Sequence, residues 1–266
     1  MNTSAYDTIK FGIVDGVATL TLNRPDRMNS FNTVMHGEVK AALDQVEGNH
    51  DVRVLVITGE GRGFCAGQDL SDRAVKPGGE AVDLGASIEN YYNPLIRRIR
   101  ALHIPVICGV NGVAAGAGAN IALACDIVIA AKSASFLQPF CNIGLVPDSG
   151  GTYVLPRLVG PARAAGLAML GEKLPADKAA DWGLIWQAVE DEALATTVQE
   201  MAARLAKAPT KGLATIKKAL SASLSNTLDE QLELERDLQR EMGYTEDYQE
   251  GVAAFLEKRK PTFKGR

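Results

Sequence analysis

The sequence predicts an α/β body with crossover connections, followed by a helical C-terminal quarter. Two observations predict it. Short β-branched apolar runs alternate with stretches of helical spacing as far as about residue 190, and strands separated by helices imply crossover connections. Beyond that point the strand signal stops, while Leu194, Val198, Met201, Ala202 and Leu205 form one helical stripe and Leu234, Leu238 and Met242 part of another. At roughly 150 residues per domain, 266 residues make between one and two domains, divided here into a core over 1–190 and a helical region over 191–266.

Taken in order, Asp15-Gly16 is a tight-turn pair ahead of the alternating run Val17 to Leu22, which predicts a hairpin. Asn32 or Thr33 caps a helix carrying Met35, Val39, Ala42, Leu43 and Val46. Val52 to Thr58, apolar except for Arg53, suits a strand buried on both faces. A glycine-rich loop follows (Gly59, Gly61, Gly63, Gly67), then a polar stretch around Lys76-Pro77-Gly78-Gly79 that reads as a mobile loop. Residues 83–101 read as a helix that Pro94 kinks or divides. Pro105 to Val110 is the next strand, Gly116 to Ala124 a helix, and Asp126 to Ala131 another strand.

Composition removes several classes of function. With 46% apolar and 23% charged residues the chain is an ordinary globular protein. Its charge of −4, from 28 basic and 32 acidic residues, supplies no field for nucleic acid or an anionic membrane. Cys65, Cys108, Cys125 and Cys141 lie far apart, and with only His36, His50 and His103 beside them they form no zinc ribbon and no secreted disulfide framework. The start MNTSAYDTIK has no signal-peptide pattern. The apolar stretch Ala101 to Ala131 is broken by His103, Pro105, Asn111, Asn120 and Asp126, so no membrane span can be cut from it. The expectation is a soluble cytoplasmic protein with reduced thiols.

Two glycine-rich elements each follow an apolar strand, Gly63 to Leu70 and Asn111 to Asn120. Glycine lets a ligand reach the backbone, and the second element opens a helix whose first N–H groups favour developing negative charge. Two such N–H groups converging on one oxygen make an oxyanion hole. Plain close packing of helix on strand is the other reading, and glycine content alone favours it. Gly116-Ala117-Gly118 is followed by Ile121, so the dinucleotide fingerprint fails at its last place, and no GxxxxGK[ST] phosphate loop exists. Asp148-Ser149-Gly150-Gly151 imitates the surroundings of a serine-protease nucleophile, but no histidine base accompanies it. Asp148 itself has two readings. In the apolar segment Ile143 to Val154 it is a desolvated acid/base with a raised pKa, or Asp148 or Ser149 caps a helix from Gly150 onward.

These motifs resemble one family. Leu22-Asn23-Arg24-Pro25 with Asn29, FCAGQDL at 64–70, NGVAAGAG at 111–118, Asp126, IGLVPDSGGTYVLPRLVG at 143–160 and AFLEKRKPTF at 254–263 together are similar to the crotonase (enoyl-CoA hydratase/isomerase) superfamily, in order and over nearly the whole chain. The resemblance implies a spiral of ββα units with a C-terminal helical region that forms trimers or dimers of trimers and completes the CoA site. It implies acyl-CoA thioester substrates and no cofactor or metal, the CoA being part of the substrate.

Position by position, it implies that Gln68 and Ala117 supply the oxyanion N–H groups, with Ala66, Asp69, Leu70, Gly116, Asn120 and Phe140 around the substrate. Phe255 and Lys258 match CoA-contacting positions, sometimes lent by the adjacent subunit; a solvated basic tail is the other reading of Lys258. The two glutamates that hydratases place around a water are here Asn120 and Phe140. Hydration is therefore disfavoured. Asp148 matches the catalytic aspartate of some isomerases in the superfamily, and one acid/base without a water-activating partner suits a proton shuttle. FCAGQDLSDR, GLVPDSGGTYVLPRLVG and DWGLIWQAV (181–189) look most like the branch that converts 2-(1,2-epoxy-1,2-dihydrophenyl)acetyl-CoA to oxepin-CoA in phenylacetate degradation. The alternatives are a general 3-enoyl to 2-enoyl-CoA isomerase and, in another class, a non-catalytic or RNA-binding relative.

Overall fold

Asp15 and Gly16, at φ 49° and 77°, close the two-residue turn between strands β1 (Ile9–Val14) and β2 (Val17–Leu22), as the hairpin signal requires. The structure is a computed structural model that describes residues 6–73 and 83–266; the loop expected around Lys76 to Gly79 lies outside these. Asn32 caps helix α1 (Thr33–Gly48) by accepting from the Met35 N–H at 2.9 Å. The helix buries the stripe from Met35 to Val46 against the sheet.

Three strand–strand–helix units follow. Strand β3 (Val54–Gly59) leads to β4 (Gly63–Cys65), then to helix α2 (Leu84–Ser87) and helix α3 (Asn93–Ala101). Strand β5 (Val106–Val110) leads to β6 (Val113–Ala115) and helix α4 (Ala117–Ala124). Strand β7 (Ile127–Ala131) leads to β8 (Ser135–Leu137) and helix α5 (Gly151–Leu170). Each unit gives its first strand to one sheet and its second to another, which is the expected ββα spiral. Strand β9 (Leu174–Pro175), helix α6 (Ala176–Asp181) and strand β10 (Gln187–Val189) complete the sheets, in the orders β1-β2-β3-β5-β7-β10 and β4-β6-β8-β9. Strand β3 pairs in parallel on both edges, which accounts for its unbroken apolar run. The helix expected over 83–101 is divided by a π-helical turn, Ile88–Tyr92, and Pro94 sits in the first turn of the segment after it, where its missing N–H costs nothing.

Helices α7 (Leu194–Ala206), α8 (Thr210–Ala222), α9 (Leu228–Gly243) and α10 (Glu246–Leu256) follow. The division at residue 190 cuts α7 from the sheet it covers. Leu194, Val198, Ala202 and Ala206 belong to the body's core, and a Cβ on Gly109 of β5 would meet Val198 at 3.1 Å. A helix with one apolar stripe must bury it, and here the sheet does so. The chain's end returns to the body through Arg53, whose guanidinium donates to Thr210 Oγ1 (2.7 Å) and to the carbonyls of Ala208 (2.6 Å) and Phe263 (3.2 Å). Among the described residues no helix is long and apolar enough to cross a membrane.

Candidate active site

The first glycine-rich loop is stitched by Asn29. Fully buried at φ 55°, it donates from Nδ2 to the carbonyls of Glu60 (2.9 Å) and Gly63 (2.8 Å) and accepts from the Arg24 N–H at 2.8 Å. The loop then bridges to Phe31: the Phe31 N–H donates to Gly67 O at 2.7 Å, and the Asp69 N–H to Phe31 O at 2.9 Å. Because alternate residues of an extended strand point opposite ways, this bridge turns the Gln68 N–H to the other side. The Gln68 side chain accepts from the buried Tyr92 hydroxyl at 2.9 Å. Asp69 accepts from the Ser71 hydroxyl (2.6 Å) and pairs with Arg24 (2.9 Å). The Ser71 hydroxyl first, and then Arg24, hold its carboxyl below the usual range. Asp69 thus secures the loop, and its carboxylate faces protein partners.

The second loop packs into the first by glycine. A Cβ on Gly112 would fall 2.2 Å from the Arg62 carbonyl oxygen, and one on Gly118 2.3 Å from that of Cys65. Gly67, at φ 87°, leaves room for Ala115 O and the Ala117 nitrogen, which a Cβ would approach to 3.0 and 3.3 Å. Gly116 (φ 55°, ψ −128°) turns the chain into α4, so Ala117 opens the helix with an N–H that has no acceptor within it. The two readings of these glycines are one construction. Close packing brings the Gly67-Gln68 backbone against the first N–H of α4. The buried Cys65 thiol is part of that packing, and burial pushes it up to about 12.

Asp148 caps no helix. Helix α5 begins at Gly151, its N-cap is Gly150 in the left-handed region, and no side chain caps it. The Ser149 hydroxyl instead donates to Asp148 Oδ1 at 3.0 Å, with Ser149 itself at φ 51°. The Asp148 carbonyl accepts from the Gly151 N–H and from Asn120 Nδ2, both at 2.8 Å. Asn120 lies three residues after Ala117, on the same face of α4, so the half-buried Asp148 is docked beside the turn that presents the Ala117 N–H. Asn120 was expected to face substrate. It is 1% exposed, and its Oδ1 accepts from the buried Gln138 Nε2 at 2.8 Å. Phe140, also buried, lies where a Cβ on Gly116 would meet its ring at 3.6 Å, so it walls the helix start with apolar surface.

Ala66 and Leu70 are exposed on the rim of the first loop. Phe255, 82% exposed, and the exposed Lys258 belong to α10 and the turn after it. That helix packs on α9, and the tail after it is tied to Asp247 and, through Arg53, to the far end of β3. These contacts do not bring the pair to the glycine loops of its own chain. Arg24, Asn29, Tyr92 and Gln138 had no role assigned from sequence, and Ser149 only that of a helix cap. For Gln138 the available signal was an amide in an otherwise apolar run; for Tyr92 there was none, since its partner is distant in sequence.

A family model described as enoyl-CoA hydratase/isomerase matches residues 12–266. The chain is 59% identical over 251 residues, 94% of its length and 96% of the relative's, to the 1,2-epoxyphenylacetyl-CoA isomerase of Escherichia coli strain K12. It is 50% identical over 262 residues, 98% of its length and all of the relative's, to a Rhodobacter capsulatus protein named a probable enoyl-CoA hydratase. The crystal structure of the enoyl-CoA hydratase from Bacillus anthracis superposes with a TM-score of 0.91 at 31% identity, covering 98% of this chain and 100% of that one.

Proposed function

The chain belongs to the enoyl-CoA hydratase/isomerase family, and from that premise we propose that it isomerises an acyl-CoA thioester, converting 2-(1,2-epoxy-1,2-dihydrophenyl)acetyl-CoA to oxepin-CoA. The observation that carries the reading is the placement of Asp148 beside the first turn of α4, with Asn120 and Phe140 at the positions where hydratases hold their glutamates. The relative 59% identical to it, which bears the name of that activity, supports the choice of substrate.

The chemistry follows from the site. A thioester α-proton is too weakly acidic for a carboxylate unless the enolate oxygen is stabilised. The N–H groups of Gln68 and Ala117 supply this stabilisation where charge develops, each donor contributing about 3–4 kcal/mol. Asp148 takes the α-proton, and the electron pair delocalises onto the thioester oxygen. In the ring epoxide the carbon–carbon bond shared by the three- and six-membered rings opens to the seven-membered oxepin. The Asp148 carboxylic acid then returns its proton to a remote carbon, so no atom is gained or lost. Phe140 keeps water from the helix start, which suits a shuttle better than a hydration.

CoA contacts from Phe255 and Lys258 come, on this reading, from a neighbouring copy in a homotrimer or a dimer of trimers. Their exposure supports it, as do the exposed Ile216 and Leu220 on α8 and Leu228 and Leu232 on α9. The test is turnover of a small acyl-CoA panel containing the ring epoxide, generated in situ, and a linear 3-enoyl-CoA. The epoxide should be the better substrate, and Asp148→Asn should lose about 10²–10⁴-fold in kcat while still binding acyl-CoA. Wild-type turnover by Asp148→Asn would sink the mechanism, and preference for the linear substrate would favour the general isomerase.

A further inference from the structure

The family resemblance puts Asn120 at a hydratase acid/base position, yet its whole amide is committed to protein. Nδ2 reaches the Asp148 carbonyl at 2.8 Å and Gln138 Oε1 at 3.4 Å, and Oδ1 accepts from Gln138 Nε2 at 2.8 Å. An asparagine has two donor hydrogens, and both point at these partners. The reciprocal pairing with Gln138, itself 3% exposed, holds the plane of the amide, and the Asp148 carbonyl, an acceptor only, sets Nδ2 toward the turn. Gly151 makes the space: a Cβ there would come within 2.5 Å of Asn120 Nδ2. The turn being held is strained, since Ser149 has φ 51° without being glycine. Such a conformation costs of order 1–3 kcal/mol and persists only where its surroundings over-determine it.

We propose that Asn120, oriented by Gln138, is a positioning residue for the proton transfer. It clamps the Asp148 turn to the helix whose first N–H stabilises the enolate, so that base and oxyanion donor keep one spacing. The inference rests on the isomerase reading above. It differs from a substrate-binding role because it acts only through Asp148. It differs from a merely structural role because it acts on kcat and spares thioester affinity.

The experiment uses the full chain and Asn120→Leu, which keeps the branched shape and the number of side-chain heavy atoms and removes the donor. It measures kcat and KM, exchange of the α-hydrogen into D2O, and affinity for acetoacetyl-CoA, a thioester that binds as its enolate and reports the oxyanion donors. A misplacement of the base by about 1 Å costs on the order of 10²-fold, so kcat and the exchange rate should fall about that much. KM and acetoacetyl-CoA affinity should stay within about threefold. In an Asp148→Asn background, Asn120→Leu should slow exchange less than about twofold, because the group it positions is already lost. Gln138→Met should reproduce the kcat loss more weakly, and it serves as the deciding variant if Asn120→Leu does not fold. Wild-type kcat in the variant that folds, an equal loss in the Asp148→Asn background, or lost acetoacetyl-CoA binding would each overturn the proposal. An inert wild type, or an active Asp148→Asn, would instead fell the isomerase reading and leave the clamp geometry untouched.

Discussion

The two halves of the site are built from different materials. The half proposed to meet the thioester oxygen is backbone: Gly67, Gly112 and Gly118 lie where a Cβ would crowd neighbouring main chain, and Asn29 and Arg24 are bonded into the same knot. The half proposed to move the proton is side chain: Asp148, the Asn120 clamp and the Phe140 ring, reached by an exposed run from Asn142 to Val146. Main-chain donors keep their chemistry whatever residue carries them, so the first half can stabilise an enolate in any member of the fold. The second half decides what happens to that enolate. On this reading, replacing two or three side chains can change the reaction without disturbing the fold.

After Asp148→Asn itself, the largest effect that would sharpen this contrast comes from the backbone half. Gly67→Ala places a methyl 3.0 Å from Ala115 O and 3.3 Å from the Ala117 nitrogen at a residue whose φ of 87° L-residues avoid. The wedge displaces the Ala117 N–H from the oxygen it serves. Removing one such donor costs about 10²–10³ in kcat, and acetoacetyl-CoA affinity should fall with it. Asp148→Asn loses rate and keeps that affinity. If the two variants had the same binding profile, the division into halves would be wrong.

The sequence revealed the backbone half better than the side-chain half, for physical reasons. Glycine spacing and the capping Asn32 are local signals, and the hairpin, α1, β3, β5, α4 and β7 follow them closely. Strands β6, β8 and β10 have three residues each, too few to show a period, and their pairing comes from the spiral. Asp148 stayed divided between cap and acid because one carboxylate suits both tasks. The left-handed Ser149 and Gly150 removed the cap reading by starting the helix too late for either side chain to reach. Asn120 matched a substrate position, but its pairing with Gln138 joins a helix to the residue just after a second-sheet strand, and no local pattern carries it. The Tyr92–Gln68 bond crosses 24 residues and is equally silent in sequence.

A middle-sized effect tests the electrostatics of the first loop. Asp69→Asn removes a charge-assisted contact to Arg24 and weakens the one from Ser71, worth roughly 1.5–3 kcal/mol for hydrogen bonds to a charged group. Because the folded carboxyl is held below its ordinary 3.8, its contribution is complete above that value and fades as pH falls through the lower folded one. The Tm gap between wild type and Asp69→Asn should therefore be constant near neutrality and close below about pH 3.8. A gap that persists into acid would mean the loop is held without this charge.

The smallest effect belongs to the base's approach segment. Val146 is 78% exposed, with Ile143 and Leu145 exposed beside it, so Val146→Ser removes little buried area and should change stability by less than about 0.5 kcal/mol. For a chain of this size that is a Tm shift of roughly 1–2 °C. The same substitution, two residues before Asp148, would be costly if this half were packed as the glycine half is. A loss above about 1 kcal/mol would show that these apolar side chains are covered in solution. The comparison would then have to be drawn within the assembly, with the segment's rigidity supplied by a neighbouring molecule and Asn120 only one of the contacts that hold Asp148.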